Sequence, residues 1–350
     1  MDIFPIALLI LALYGKNNKI KENLNSEYLS KESGNALKGL FALLVILHHL
    51  AQRTNDGLMF RLYDLMGYLA VAVFFFLSGY GLQKQYLINK NYQKGFLPKK
   101  IGTVLIPYIL ITIPYWLLYN AQGTTYTLKD IFLLFRQGET IVKFSWYIIT
   151  IFLFYVAFWA LMNICKNRHN LMIIGAAIYF ALYVIICRKL GYDSYWYKTT
   201  HLLIIGMIWA TYEDEIITII KKKHRLLSMI INILFLFLFC FKGSLSKAIK
   251  ISEISTILES ITATFFVLSI VLFSSKRKIG NPILNYLGKI SMEIYLIHGL
   301  FILQLRSQVL YIYNDFLYAM FVMVGSIVFA QLFHYANTWI FGKYNKAFQI

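Results

Sequence analysis

Residues Asn35 to Gln52 read NALKGLFALLVILHHLAQ, an apolar run with a lysine near its start and two adjacent histidines near its end. Ionisable side chains are expensive inside a membrane helix, so those that occur there are candidates for function. Each helical residue turns about 100° and rises about 1.5 Å. From Lys38 to His49 the chain therefore returns to within about 20° of the same face, about 16 Å further along the axis. His48 is rotated about 100° away. Lys38 and His49 thus share a stripe, one residue at the rim and the other deep.

The composition agrees with a membrane setting. The 350 residues are 59% hydrophobic and only 14% charged, and the mean hydropathy is +0.61. A soluble domain carries about 45–50% apolar and about 25% charged residues. The chain reads as an all-α integral membrane protein, a polytopic bundle of about ten core transmembrane helices preceded by a short N-terminal apolar segment. Its domains are expected at 1–34, apolar segment plus polar linker, and 35–345, the membrane domain. The net charge of +18 fits the excess of Lys and Arg in cytoplasmic loops. No basic stripe with interleaved aromatics appears, so nucleic acid is not an expected partner. Cys165, Cys187 and Cys240 are scattered without CxxC spacing, and neither a metal site nor a disulfide framework is expected.

Ile3 to Tyr14 is apolar but short, about 18 Å as a helix against a hydrocarbon core of about 30 Å. It is either a short extra span or an interfacial anchor. The apolar segments that follow run over 36–51, 65–83, 102–119, 145–164, 171–187, 200–212, 226–241, 256–274, 290–305 and 316–341. With residues 15–38 placed in the cytoplasm and the spans alternating from there, 22 of the 34 Lys and Arg fall on the inner side. Lys38 is then at the cytoplasmic mouth and His49 lies toward the outer leaflet.

Several other stretches carry polar groups into apolar surroundings. GYLAVAVFFFLSGYGLQ (Gly67 to Gln83) changes from bulky to small residues within four positions. Ser78 there either marks close helix packing or places a hydroxyl near a site. FLPKKIGTVLIPY (Phe96 to Tyr108) puts Lys99 and Lys100 at the cytoplasmic edge and Pro107 inside. These residues are ordinary positive-inside flanking with a kink, or a landing point for an anion. Phe144-Ser145-Trp146-Tyr147 opens a span at the outer interface, where Trp and Tyr serve as belt residues or stack on a sugar ring. His201 is a weaker candidate of the same kind. In LGKISMEIYLIHGLFI (Leu287 to Ile302), Ser291, Tyr295 and His298 share a face within about 60°. They form either a structural hydrogen-bond network or part of a polar channel. Glu293 points elsewhere, toward an expected solvated position at the inner rim.

Taken together, three of these stretches resemble acyltransferase family 3, the integral membrane O-acyltransferases that include bacterial polysaccharide O-acetyltransferases. The resemblance lies in Lys38, ten residues, then His49 within ALKGLFALLVILHH, in VFFFLSGY (Val73 to Tyr80), and in LGKISMEIYLIH (Leu287 to His298). Lys38 stands where the family often has Arg, a point charge in place of a planar fork. The resemblance implies a multi-pass protein of the cell (plasma or inner) membrane. It implies transfer of an acyl group, usually acetyl, from cytoplasmic acyl-CoA to a hydroxyl of a cell-surface or lipid-linked glycan. No cofactor is expected to be permanently bound, acyl-CoA being the donor substrate, and membrane lipid is the surrounding partner. The residue chemistry is compatible. Lys38, Lys99 and Lys100 offer charge to the CoA phosphates, and His49 offers a base to a sugar hydroxyl. His48, Ser78, Trp146, Ser291, Tyr295 and His298 are expected to contact the acceptor or form a structural polar network. The rival reading from spans and intramembrane polar residues is a transporter or flippase of a glycan-related substrate, though no internal symmetry of paired broken helices is visible.

Overall fold

The computed structural model describes residues 1–14, 24–25, 27–89, 91–166, 168–249, 253–277 and 279–348, with side chains to Lys343. Lys16, Lys19, Lys21, Lys90, Lys278 and the Lys346 side chain, all counted in setting the orientation, lie outside what is described.

The described residues form fourteen α-helices and no strand beyond an isolated bridge between Arg306 and Tyr311. In chain order the helices are α1 (Ile3–Leu13), α2 (Lys31–Ala51), α3 (Gly67–Ile88), α4 (Phe96–Lys100), α5 (Ile106–Ala121), α6 (Leu128–Arg136), α7 (Trp146–Cys165), α8 (His169–Lys189), α9 (His201–Thr211), α10 (Glu213–Ile249), α11 (Ile254–Lys276), α12 (Pro282–Lys289), α13 (Ser291–Gln304) and α14 (Asp315–Phe348). Seven helical stretches, α2, α4 through α5 taken together, α7, α8, α10, α11 and α14, are long and apolar enough to cross a membrane, or eight if the bent pair α12–α13 is one span.

All ten expected apolar segments are helical, and three of them depart from a straight, uniformly apolar span. The C-terminal half of α3 carries Ser78, Gly79, Tyr80, Gly81, Gln83 and Lys84, which dilute its apolar run. Helix α9 has only 11 residues, too few for a core of about 30 Å. Helices α12 and α13 meet at a bend of 76°.

Helix α2 is the centre of the bundle. Ser30 caps its start by accepting from the Ser33 amide at 3.3 Å, and Glu32 sits in the first turn, where the helix dipole favours it. Ala36, Leu37, Phe41, Ala42, Leu43, Val45, Ile46, Leu47 and Leu50 are all buried, as expected of a helix apolar on every side. Helices α3 and α9 touch backbone to backbone. A Cβ on Gly79 would lie 1.9 Å from the Leu203 carbonyl oxygen, and one on Gly206 would lie 2.2 Å from that of Phe76. Small residues are what permit such an approach in a membrane bundle.

Pro107 explains an irregularity in the third apolar segment. It has no N–H to give to the carbonyl four residues back, and residues Ile101–Leu105 ahead of it form a π turn joining α4 to α5. Helix α10 kinks at Lys223. Helix α6 carries a Thr127–Asp130 capping box, and Leu128 and Phe132 on it are exposed. The Thr127 hydroxyl and amide both donate to the Asp130 carboxylate, at 2.6 and 2.9 Å, and hold it below its usual range.

Helix α1 is tied at both ends. The Asp2 carboxylate accepts from the amides of Leu58 (3.2 Å) and Phe60 (2.9 Å), in the loop beyond the histidine end of α2. At the other end Asn281 donates to the Leu11 carbonyl at 2.8 Å, next to Gly280, which abuts Ala36 near the start of α2. The loop after the histidines is fixed a second time. Arg306 pairs with Asp315, donates to the Arg53 carbonyl and lies 4.1 Å from the Tyr318 ring. Asp315 also accepts from the Asn55 amide at 2.9 Å.

Candidate functional site

The two ends of α2 open into two different cavities. Lys38 lines a cavity of about 1210 Å³, together with Lys99, Lys100, Lys31, Lys84, Lys94 and Lys221, against the two acids Glu213 and Asp214. It is named inner, and the other outer, after the orientation expected from the loop charges. His48 and His49 line a second cavity of about 450 Å³, with Gln52, Tyr68, Phe144, Trp146, Tyr195 and Tyr295. The shared stripe on α2 therefore runs from one cavity toward the other.

In the inner cavity the positive charge is fixed by packing. The Lys100 ammonium lies 4.2 Å from the centre of the Tyr155 ring and 5.6 Å from that of Phe96. Cation–ring contacts of this kind hold a lysine without neutralising it. Glu213 is engaged by one of the lysines and by two tyrosines of the same cavity. One oxygen accepts from Tyr28 and Tyr80, each at 2.9 Å, and the other pairs with Lys84 at 2.6 Å. The Trp209 indole N–H donates to the Tyr28 hydroxyl at 2.8 Å. Burial pushes the Tyr28 phenol up, as does the Glu213 charge, so it stays protonated.

In the outer cavity the imidazoles form a stack. The His49 ring lies 3.8 Å from the Phe144 ring at 19° and 5.3 Å from the His298 ring at 21°. His49 Nδ1 is 3.2 Å from Gln52 Oε1. An amide oxygen only accepts, so Nδ1 carries the proton and Nε2 keeps its lone pair, a tautomer assigned from the network. His48 Nδ1 contacts the Tyr63 carbonyl at 3.1 Å, and α3 begins directly against its ring. A Cβ on Gly67 would come within 2.2 Å of His48 Cδ2. Around the mouth, burial and then the Glu139 carboxylate push the Tyr195 phenol up to about 12.

Phe144 has φ of 66°, a conformation rare for a residue with a side chain and costing about 1–3 kcal/mol. It is held there by its stack on His49 and by the Tyr295 hydroxyl, which donates to its carbonyl at 2.5 Å. His298 is fully buried behind the stack, 5.6 Å from the Phe144 ring.

The expected residues thus divide. Lys38, Lys99 and Lys100 meet in the inner cavity. His48, His49, Trp146 and Tyr295 meet in the outer one, with His298 packed against them. Ser78 sits beside Tyr147 and Tyr155 and lines neither cavity. Ser291 donates to the Gly288 carbonyl at 2.9 Å, holding the bend between α12 and α13. His201 is paired with Thr264 at 2.8 Å, away from both cavities. Glu293 corrects an expectation. It is 5% exposed rather than solvated, and its carboxylate lies 2.7 Å from His334 Nδ1 on α14.

Sequence reasoning did not single out Gln52, although it stands three residues beyond His49 and so on the same side of the helix. Nor did it find Tyr68, Lys198, Lys242 and Glu259, which line the outer cavity from separate helices and loops. The described residues hold no group of three or more His, Cys, Asp or Glu side chains able to hold a metal ion.

No curated protein and no solved structure matches the chain. The family described as an acyltransferase domain matches residues 33–335, a stretch that contains all three motifs, the whole lining of the outer cavity and most of that of the inner one. By that match the chain belongs to acyltransferase family 3, and it is a multi-pass membrane acyltransferase.

Proposed function

We propose that the protein is an O-acyltransferase of the plasma (inner) membrane, taking an acyl group, acetyl in the first instance, from acyl-CoA on the cytoplasmic side. The acceptor is a hydroxyl of a cell-surface or lipid-linked glycan. The observation that carries this reading is the division of α2, whose lysine end lies in a strongly basic inner cavity and whose imidazole end lies in the outer one. CoA carries several phosphate charges, and Lys38, Lys99 and Lys100 are the groups that would hold them. A free hydroxyl is a poor nucleophile until a base takes its proton.

His49 is that base. With Nδ1–H engaged by Gln52, Nε2 accepts the acceptor's proton as the hydroxyl oxygen attacks the thioester carbonyl. The C–S bond breaks, and the departing thiolate takes the proton from the imidazolium, leaving ester, CoA thiol and neutral histidine. Phe144 and His298 stack on the ring and fix its plane, which holds the base in one orientation.

The test is transfer from radiolabelled acetyl-CoA to glycans by the reconstituted protein, wild type against His49→Ala. Loss of about 10²-fold or more is expected. Undiminished transfer by a folded His49→Ala protein removes the residue from this role.

A further inference from the structure

On one wall of the outer cavity one carboxylate serves two lysines. Glu259 on α11 pairs with Lys198 at 2.7 Å. Lys242, at the far end of α10, stands 3.8 Å from the other Glu259 oxygen, beyond hydrogen-bond reach. Lys242 donates instead to the Tyr68 hydroxyl at 2.8 Å. Both ammonium groups lie against the same ring, Lys198 at 5.1 Å and Lys242 at 4.4 Å from the Tyr68 centroid. The three charged side chains are only 14%, 15% and 22% exposed.

The other charges of the cavity do not cancel this excess. Glu139 is paired with Lys143 at 3.3 Å at the rim, with side chains 47% and 36% exposed, and Asp64 is exposed near His48. Exposed charges are screened by water and salt, whereas half-buried ones are screened much less. This wall therefore keeps one cation more than it has acids, and an ammonium has three N–H groups, of which Tyr68 takes one from Lys242. Taking a charge out of water without a matched partner is costly, and an anion arriving there offsets the cost.

We infer that the acceptor carries an anionic group, a carboxylate or a phosphate ester on a sugar, which docks on Lys242 and Lys198. The rings of Tyr68, Trp146 and Tyr195 face the same space, and the hydroxyl to be acylated is presented to His49. The inference rests on the acyl-transfer reading for the identity of the ligand, and its test does not depend on activity.

The purified full-length protein is titrated by calorimetry with three trisaccharides of equal length, one built of hexuronate, one bearing a phosphate ester and one neutral. The anionic sugars are expected to bind at least about tenfold more tightly than the neutral one, with a preference that shrinks as salt is raised. Lys242→Gln and Lys198→Gln abolish the preference, and Lys242→Arg, which keeps the charge and answers the question if a glutamine variant misfolds, retains most of it. Preference for only one anion identifies which group is read. Equal binding of the neutral sugar, no binding of any, or a preference that survives both glutamine variants overturns the inference. His49-dependent acylation of a neutral glycan would leave the O-acyltransferase reading standing while this one fell.

Discussion

His298 gives a substitution that should lower activity at little or no cost in stability. Its side chain is fully buried, and among the described residues neither ring nitrogen makes an aligned hydrogen bond, although the Ile294 and Tyr295 carbonyls approach from one turn back. A buried polar atom without a partner costs about 1–3 kcal/mol. Against this, the stacks on His49 at 5.3 Å and Phe144 at 5.6 Å return about 0.5–1.5 kcal/mol. His298→Leu removes both terms and fills nearly the same volume. The outcome should lie between about 0.5 kcal/mol lost and about 2.5 kcal/mol gained, whereas creating a cavity at such a site would cost about 2–5 kcal/mol. Transfer should fall by about tenfold or more, because the ring that fixes the His49 plane is gone. The measurements are the unfolding midpoint of the solubilised protein, followed by tryptophan fluorescence, and label transfer in liposomes. A loss of more than about 2 kcal/mol would mean that the imidazole is satisfied after all, and undiminished transfer would mean that it supports nothing at His49.

Two further outcomes are expected. Gly79→Ala places a methyl 1.9 Å from the Leu203 carbonyl, so α3 and α9 must part, at about 1–3 kcal/mol or more. Gly81→Ala, two residues on and with nothing within 4 Å, should be neutral or gain up to about 1 kcal/mol of helix propensity, and the melting temperatures of the two variants decide it. Alkaline pH should destabilise the fold through Tyr28, whose phenol is pushed up first by burial and then by the Glu213 charge. The unfolded chain loses this proton near pH 10 and the folded chain keeps it, so the contribution is complete below about pH 10 and declines as the pH rises further. The melting temperature of Tyr28→Phe should fall less steeply between about pH 9 and 11 than that of the wild type, and parallel curves would show that Tyr28 is not the group responsible.

What the sequence disclosed and what it hid follow from range. The α2 stripe needs only helical phase, and Lys38 and His49 lie where phase puts them, at two ends of one helix opening into two cavities. The outer wall is different. Tyr68, Lys198, Lys242 and Glu259 come from four separated stretches, and each lysine taken alone reads as one more loop charge. Phe144 carries no local sign of its left-handed backbone, which is imposed by Tyr295 from a helix 151 residues away. Glu293 looks like a rim acid because it follows Lys289 closely, and only the arrival of His334 on α14 explains its burial. How the short helix α9 is held is hidden for a related reason. Hydropathy sees a helix's composition, whereas α9 is held in the bundle by backbone contact at Gly79 and Gly206.

The contrast between the two cavities bears on how such an enzyme avoids becoming a leak. Between Lys38 and Val45 the α2 side chains Phe41, Ala42 and Leu43 are buried, and the first residues of α2 to reach the outer cavity are Val45, His48 and His49. A packed apolar layer therefore stands between the lysines and the imidazoles. Charged groups cross such a layer at high cost, so under the function proposed above the CoA phosphates would be retained on the inner side by both attraction and exclusion. An uncharged thioester arm pays far less to enter it. On the proposed reading the same layer sorts the donor into a part that stays and a part that crosses. It also keeps the proton cycle of His49 on the acceptor's side, where the hydroxyl supplies the proton and the departing thiolate removes it. Specificity for the donor then resides in inner-cavity charge and in the width of this layer, and specificity for the acceptor resides in the outer wall of Tyr68, Lys198, Lys242 and Glu259, so each can vary while the other is held.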